Sequence, residues 1–424
     1  MKYPKVPLRE LCESIDYGYT ASATEEPVGP RFLRITDIVQ SHLNWSKVPF
    51  CFIQERYKAK HKLRAGDIVI ARTGATTGWA KYVQDPPDAV FASYLVRIRL
   101  AKSVDARFIG QVIESQIYKD FIKQNIGGSA QPNANAKVLT SFPAPVPPKK
   151  IQSQISGILS CYDDLIENNT RRIKILEQMA QTIYREWFVN FRFPSYERTG
   201  FLDSPKGKFP VGWEAARLGD HLESLEAGKR PKGGIRDEVD GVPSIGAENI
   251  RGIGRHDFAS EKYVSKEYFV NMNKGVVRDR DVAIYKDGAY IGKSSYFRDG
   301  FPYAKCCVNE HVFLLRSSGR RLKQNFLYLW LQQPETVQTI RSTNANAAQP
   351  GINQSCVYGL EIVLPDADIA DQFDKLVEPI LASIINLAKI NRNLRNTRDL
   401  LLPKLISGEL DVSELDIQTP ETNG

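Results

Sequence analysis

Residues 149–191 read KKIQSQISGILSCYDDLIENNTRRIKILEQMAQTIYREWFVNF. Apolar side chains fall at Ile151, Ile155, Ile158, Tyr162 and Leu165, then at Ile173, Leu176, Ala180, Ile183 and Trp187. Steps of three and four place them on one helical face, so the stretch predicts one long helix with a sticky stripe, interrupted at Asn169 and Arg172. Near-heptad spacing asks for a partner helix rather than a broad core. The chain contains that partner: residues 369–405 repeat the pattern with Ile369, Phe373, Leu376, Ile380, Ile384, Leu387, Leu394 and Leu401. Two such helices, one after each half of the chain, read as a strut between two similar domains.

The halves themselves repeat. Leu8-x-x-x-x-Glu13-Ser14-Ile15-Asp16-x-Gly18 recurs as Leu218-x-x-x-x-Glu223-Ser224-Leu225-Glu226-x-Gly228. The stretch 66–78, GDIVIARTGATTG, recurs as 280–292, RDVAIYKDGAYIG. Gln131-Pro132 recurs as Gln349-Pro350, each in an Asn/Ala-rich loop, and each half closes with an apolar run, a proline and a long helix. A preserved order over most of both halves is the signature of duplication.

At 424 residues and a net charge of +8, with a pI near 9.0, the chain is long enough for two or three domains and basic enough for a nucleic-acid partner. The six cysteines contain no C-x-x-C pair and the five histidines no H-E-x-x-H, which argues against a zinc site or a disulfide framework. No apolar run is long enough for a bilayer, and the start MKYPKVPLRE lacks a signal-peptide core, so a cytoplasmic location with reduced thiols is expected.

Within residues 1–148, Asp67–Arg72 and Phe91–Leu100 read as strands, the Thr-Gly steps between them as a turn, and Phe108–Gln124 as a helix. The prolines of 142–148 make an extended stop before the long helix. The expected organisation is a first domain at 1–148, a helix at 149–191, a Pro/Gly-rich linker at 192–216, a second domain at 217–365, a helix at 366–410, and a frayed acidic tail at 411–424.

Several motifs carry possible chemistry. Gly288-Ala289-Tyr290-Ile291-Gly292-Lys293-Ser294 imitates a phosphate loop but has three residues between its glycines where four are needed, and its first-half copy GATTGWA lacks the Lys-Ser; it reads as a shared glycine turn. Arg72 and Lys286 flank that turn, where a cation can reach a phosphate. Asp85-Pro86-Pro87-Asp88 imitates the Asp-Pro-Pro-aromatic motif of amino-methyltransferases, but Asp88 is not aromatic and no glycine-rich cofactor loop accompanies it. Residues 32–38, FLRITDI, set Arg34, Thr36 and Asp37 in an apolar frame; residues 243–250, PSIGAENI, keep the frame and change the polar residues, with Asn249 among them. Gln131, Asn133, Asn135, Asn344, Asn346, Gln349 and Asn353 lie in the polar loops, where amides can pair with adenine or simply cap their own backbone. Thr73, Gly74, Thr76, Lys81, Lys229, Arg230, Lys232, Gly288, Tyr290 and Lys293 complete the candidate DNA contacts. Asp163-Asp164 reads as a solvated helix face, and Trp187-Phe188 as an apolar pair packing on a domain or on another protein. No paired carboxylates, nucleophile–base set or metal cluster stands out.

The arrangement resembles the specificity (S) subunit of type I restriction–modification enzymes. The resemblance rests on RFLRITDI, GDIVIARTGATTG, the SAQPNANAK loop before the proline run, the helix ending EQMAQTIYREWF, and NRNLRNTRDLLLPKLISGEL, and it covers nearly the whole chain. It implies an α+β molecule: two similar α/β target-recognition domains joined by two long antiparallel, coiled-coil-like helices in a pseudo-two-fold duplication. It implies that each domain reads half of a split double-stranded DNA target and that the helices set the gap. It also implies methyltransferase (M) subunits, expected in two copies, and restriction (R) subunits as partners, which carry the S-adenosylmethionine, ATP and Mg chemistry while this chain binds no cofactor and performs no catalysis. Gly74, Gly78, Gly288 and Gly292 match the family's turn. Glu177, Tyr184 and Phe188, with the adjacent Trp187, fall in its central signature and Leu401, Leu402, Leu405 and Ile406 in its C-terminal one, as candidate partner contacts. Rival readings are a stand-alone fused methyltransferase–recognition protein and a helix-mediated interaction scaffold.

Overall fold

Short strands rich in apolar residues, one of them preceded by Asp67, shape the first sheet. Cys12–Tyr17, Leu95–Leu100, Ile68–Ala71 and Ala80–Tyr82 lie in that order, all antiparallel, in a computed structural model that describes residues 3–39, 43–126, 133–204, 207–231, 234–235, 240–258, 261–288, 290–343 and 351–415. The second sheet has the same order: Leu222–Ala227, Val312–Ser317, Asp281–Tyr285 and Ser294–Phe297. Both carry a register shift at the same place, between Cys12 and Ser14 and between Leu222 and Ser224. Asp67 and Asp281 each accept from the backbone N–H three residues earlier and pair with an arginine across the sheet, Arg99 and Arg316, both at 2.7 Å. A buried carboxylate is tolerable only with such partners, which is why both copies keep the constellation.

The repeat extends to the flanks. Parallel pairs join Arg31–Leu33 to Ala89–Phe91 and Val242–Ile245 to Cys307–Val308. Two helices cover each sheet, Ala106–Glu114 and Gln116–Asn125 in one copy, Gln324–Leu331 and Pro334–Ser342 in the other. The single helix expected at 108–124 is therefore two. Ser115 adopts an extended conformation, and its hydroxyl and N–H both donate to the Val112 carbonyl, closing the first helix.

The chain divides into two units, 1–167 with 394–424, and 168–393. The long helices, Lys149–Phe188 and Ala367–Ser407, each contribute a segment to both. Within each unit the segments pair antiparallel. In the first, Asp163 meets Arg398 at 2.6 Å; in the second, Asn169 meets Asn391 at 3.0 Å and Tyr184 and Phe188 meet Phe373. Asp163 is thus engaged in the helix pair rather than merely solvated, because Arg398 arrives opposite it. The first unit's core joins Ile151, Ile155 and Leu159 to Phe108, Val112, Leu405 and Ile406. The second unit's core joins Ile173, Ala180, Tyr184 and Phe188 to Phe326, Phe373 and Ile384.

Two boundary expectations change. The central helix ends at Phe188, short of Phe191, where positive φ at Phe191 turns the chain back and Arg192 N–H caps the Glu186 carbonyl. The 192–216 segment, read as linker from its prolines and glycines, contains the hairpin Phe201–Ser204/Gly207–Pro210 and the strand Glu214–Arg217, which pairs with Glu361–Leu364. Pro210 sits at a strand end, where no further ladder N–H is needed. Of the tail, Val412 is buried and the Leu415 carbonyl accepts from Gln154 Nε2 at 2.9 Å, so residues 411–415 pack on the first unit rather than fray.

Candidate nucleic-acid interface

In each unit the strand pair at the sheet's edge is joined by the glycine turn, and the turn is held from two sides. Gly78 N–H donates to Ala71 O at 2.8 Å and Gly292 N–H to Tyr285 O at 3.0 Å, with φ of +88° and +85°. A Cβ on Gly78 would lie 2.9 Å from Ile122 Cγ2, and one on Gly292 3.4 Å from Ile340 Cγ2, so both turns rest on the same position of the covering helix. Glycine is needed for the positive φ and, at Gly78, also for the close approach. On the other side, the polar loop bridges to the turn. Thr73 pairs with Asn133 and Ala134 N–H donates to Arg72 O at 2.8 Å; Asp287 pairs with Gly351 and Ile352 N–H donates to Lys286 O at 2.9 Å. Asn135 and Asn353 then cap the next helix through Val138 N–H and Cys356 N–H, each at 2.9 Å. Asn135 is therefore a cap as well as a candidate contact.

The side chains on this shared backbone differ. In the first unit, Arg72 lies 5.0 Å over the Tyr17 ring, reaches Asn133 Oδ1 at 3.5 Å and has no carboxylate partner among the described residues. Tyr17 and Tyr94 are 44% and 59% exposed beside it. In the second unit, Lys286 Nζ lies 3.7 Å from Asp287, and His311 sits between Asp287 at 3.1 Å and Glu310 at 3.4 Å. Arg230 closes that network on Glu310 at 2.9 Å. Tyr290 is exposed, with Lys293 stacked 3.7 Å over its ring. Guanidinium, amide and carboxylate groups on an exposed turn can bond phosphates and base edges. Sequence reading missed Tyr17, Tyr94 and His311; Tyr17 stands inside the repeated Asp16-x-Gly18 motif, and its replacement by Ala227 in the second copy was the available signal.

Other candidates are drawn inward. Lys81 pairs with Glu114 at 2.9 Å, and the same carboxylate accepts Tyr82 N–H, locking strand to helix. Asn249 is 4% exposed and accepts Asp257 N–H, a structural role that a buried amide requires. Asp37 accepts from Arg34 N–H, Nε and Nη2, so the two charges neutralise each other in a capping box, while Thr36 between them stays exposed. Thr73, Gly74, Thr76 and Gly288 lie in the turns, and Lys229 is exposed. Gln131, Lys232, Asn344, Asn346 and Gln349 fall outside the described residues.

The candidate partner contacts are also largely internal. Tyr184, Phe188, Leu405 and Ile406 are buried in the units' own cores, and Trp187, Leu401 and Leu402 are half-buried against them. Glu177 is engaged by Arg255. Burial raises its carboxyl, and Arg255 pulls it partly back. The helical signature residues fold the chain because the stripe that a partner could have used is the one that pairs the two helices.

The model of the type I restriction modification DNA specificity domain matches residues 3–178 and again 210–396. The chain is 28% identical over 355 residues to the MjaIX type I restriction enzyme specificity subunit of Methanocaldococcus jannaschii, covering 82% of this chain and 76% of that one. It is 24% identical over 406 residues to the HindI specificity subunit of Haemophilus influenzae, covering 83% and 88%. The crystal structure of a type I restriction–modification S subunit from M. genitalium superposes with a TM-score of 0.54 at 14% identity over 96% of each chain, a likeness of fold. With two matched domains that share one topology, the chain belongs to the type I restriction–modification DNA specificity family, as a non-catalytic specificity subunit.

Proposed function

We propose that this subunit reads a bipartite DNA sequence, each unit taking one half through its glycine turn and the polar loop beside it, and so directs the modification and restriction performed by its partners. The observation that carries the reading is the duplicated constellation: identical backbone bridging of turn and loop in both units, with different side chains displayed on it, Arg72, Tyr17 and Asn133 against Lys286, Asp287 and His311. A constant frame with variable polar groups suits two readers of different half-sites. The overall charge of +8 suits phosphate contacts that position without specifying.

In this reading, methyltransferase subunits, two of them, and restriction subunits assemble with the chain. S-adenosylmethionine, ATP and Mg belong to those partners. No described helix is long and apolar enough to cross a membrane; in this reading, with DNA as the target, the chain works in the cytoplasm. The test is selection from a random double-stranded DNA pool at moderate salt with the methyltransferase partner present. The expected product is two short conserved blocks separated by a fixed gap. Enrichment of nothing would favour an interaction scaffold, and methyl transfer from S-adenosylmethionine by the purified chain alone would favour a fused methyltransferase.

A further inference from the structure

In the second unit, the segment Arg251–Phe258 leaves the frame strand Val242–Ile245 and its short turn Ala247–Asn249. It is fastened at both ends to the recognition elements. The N–H groups of Arg251 and Gly252 donate to Ser295 Oγ at 2.9 and 3.0 Å, on the strand that leaves the glycine turn. Asp257 N–H donates to Asn249 Oδ1 at 3.0 Å. In its middle it lies on the unit's helix pair. Ile253 is fully buried, and its N–H donates to the Tyr328 hydroxyl at 3.0 Å. Gly254 has φ +66°, and a Cβ there would lie 3.0 Å from Ile384 Cγ2 and 3.2 Å from Ala388 Cβ, both on the C-terminal helix. Arg255 pairs with Glu177 on the central helix. Arg392, on the C-terminal helix, stacks 4.5 Å over the Phe258 ring.

Where the first unit's counterpart is described, it packs differently. Its corresponding described residues Leu43, Trp45 and Val48 pack with Leu33, Ile38 and Leu63, in a cluster that contains no residue of the long helices. Among the described residues, it is the second copy in which this segment touches both helices and both recognition elements.

We infer that residues 251–258 are a positioning strap that sets the second recognition segment and its turn against the helix pair, with Arg255 and Glu177 as positioning residues acting through it. Discrimination at one half-site then depends on an ion pair that touches no DNA. This rests on the reading of the second unit as a DNA reader. It goes beyond that reading by assigning Glu177, a residue of the helical signature, to specificity rather than to partner binding.

The test uses the full chain with its methyltransferase partner and pool selection, comparing wild type, Arg255→Ala, and the reversal Arg255→Glu with Glu177→Arg. Arg255 is half exposed, so its truncation leaves the buried part of the strap intact. The expected result is a loss of about two- to fivefold in discrimination at one half-site in Arg255→Ala, as for one partly exposed ion pair, with the other half-site unchanged and the reversal restoring the first. Unchanged discrimination, equal loss at both half-sites, or no recovery in the reversal would overturn the strap. A wild-type complex that selects no split site would instead overturn the reading on which it rests.

Discussion

Arg72 and Lys286 occupy equivalent places beside the glycine turns, yet their surroundings separate them. Arg72 is held by an aromatic face and an amide, neither of which cancels its charge, whereas Lys286 lies beside the Asp287 carboxylate. A cation already neutralised in the free protein releases fewer counterions when it meets a phosphate. Arg72→Ala should therefore weaken binding to all sequences and lower the slope of log affinity against log salt by roughly one unit. Lys286→Ala should lower it by clearly less. Titrations at several salt concentrations check both, and equal slopes for the two variants would show that the Asp287 pairing is lost on binding. The pairing of Arg34 with Asp37 illustrates the same point. Residue type alone nominates both as DNA contacts, but the spacing of three residues lets them satisfy one another.

At the scale of elements, the turns and the sheet-to-helix anchors carry the stability. Gly78→Ala puts a methyl group 2.9 Å from Ile122 at a φ of +88°, so it should cost about 1–3 kcal/mol in urea unfolding. The second sheet is anchored by Glu378 of the C-terminal helix, which takes Arg298 and Arg280, both at 2.7 Å, and Asn325 at 2.8 Å. Burial by itself would raise this carboxyl, but the hydrogen bonds and charges of Arg298, Asn325 and Arg280 outweigh it and hold it down at about 2. Its folded value lies below its unfolded one, so its stabilisation is present in full above about pH 4.5 and fades as the pH falls toward 2. Glu378→Ala leaves the buried Arg298 with Asp299 as its one carboxylate partner among the described residues and should cost about 2–3 kcal/mol at neutral pH. The variant should also show a flatter loss of stability on acidification than wild type. Unfolding curves at pH 7 and pH 3 measure both, and parallel curves would dismiss the anchor.

For the whole molecule, the length of the helix pair is the quantity to vary. Asp163–Arg398 pairs the helices in one unit and Asn169–Asn391 in the other, so an insertion in one helix alone would throw one of these pairs out of register. Four residues added to both helices, between 163 and 169 and between 391 and 398, keep both pairings. They come close to one turn and add about 6 Å. B-DNA rises about 3.4 Å per base pair, so the gap between half-sites should widen by roughly two base pairs while the preferences inside each half stay as they were. Methylation-site mapping with the partner subunit reads the gap directly. An unchanged gap in an active complex would mean that the helices do not set it.

Periodicity and repetition carried most of the architecture in the sequence itself. The stripe from Ile151 to Trp187, its echo from Ile369 to Leu401, and the doubled turn and loop motifs specify two long paired helices and two copies of one domain, because these are local, one-dimensional patterns. The break at Ser115 and the hairpin 201–210 rest on local hydrogen bonds that apolar periodicity does not register, whereas the strand Glu214–Arg217 depends on pairing with Glu361–Leu364, far along the chain. The site was legible as positions but not as roles. Lys81, Asn249, Tyr184 and Phe188 look like surface chemistry in a string of letters, and only the tertiary structure turns them inward, toward Glu114, Asp257 and the cores. Whether a charge is free or cancelled is decided by partners tens to hundreds of residues away, as with Glu177 and Arg255 or Asp163 and Arg398, and no local pattern encodes that meeting.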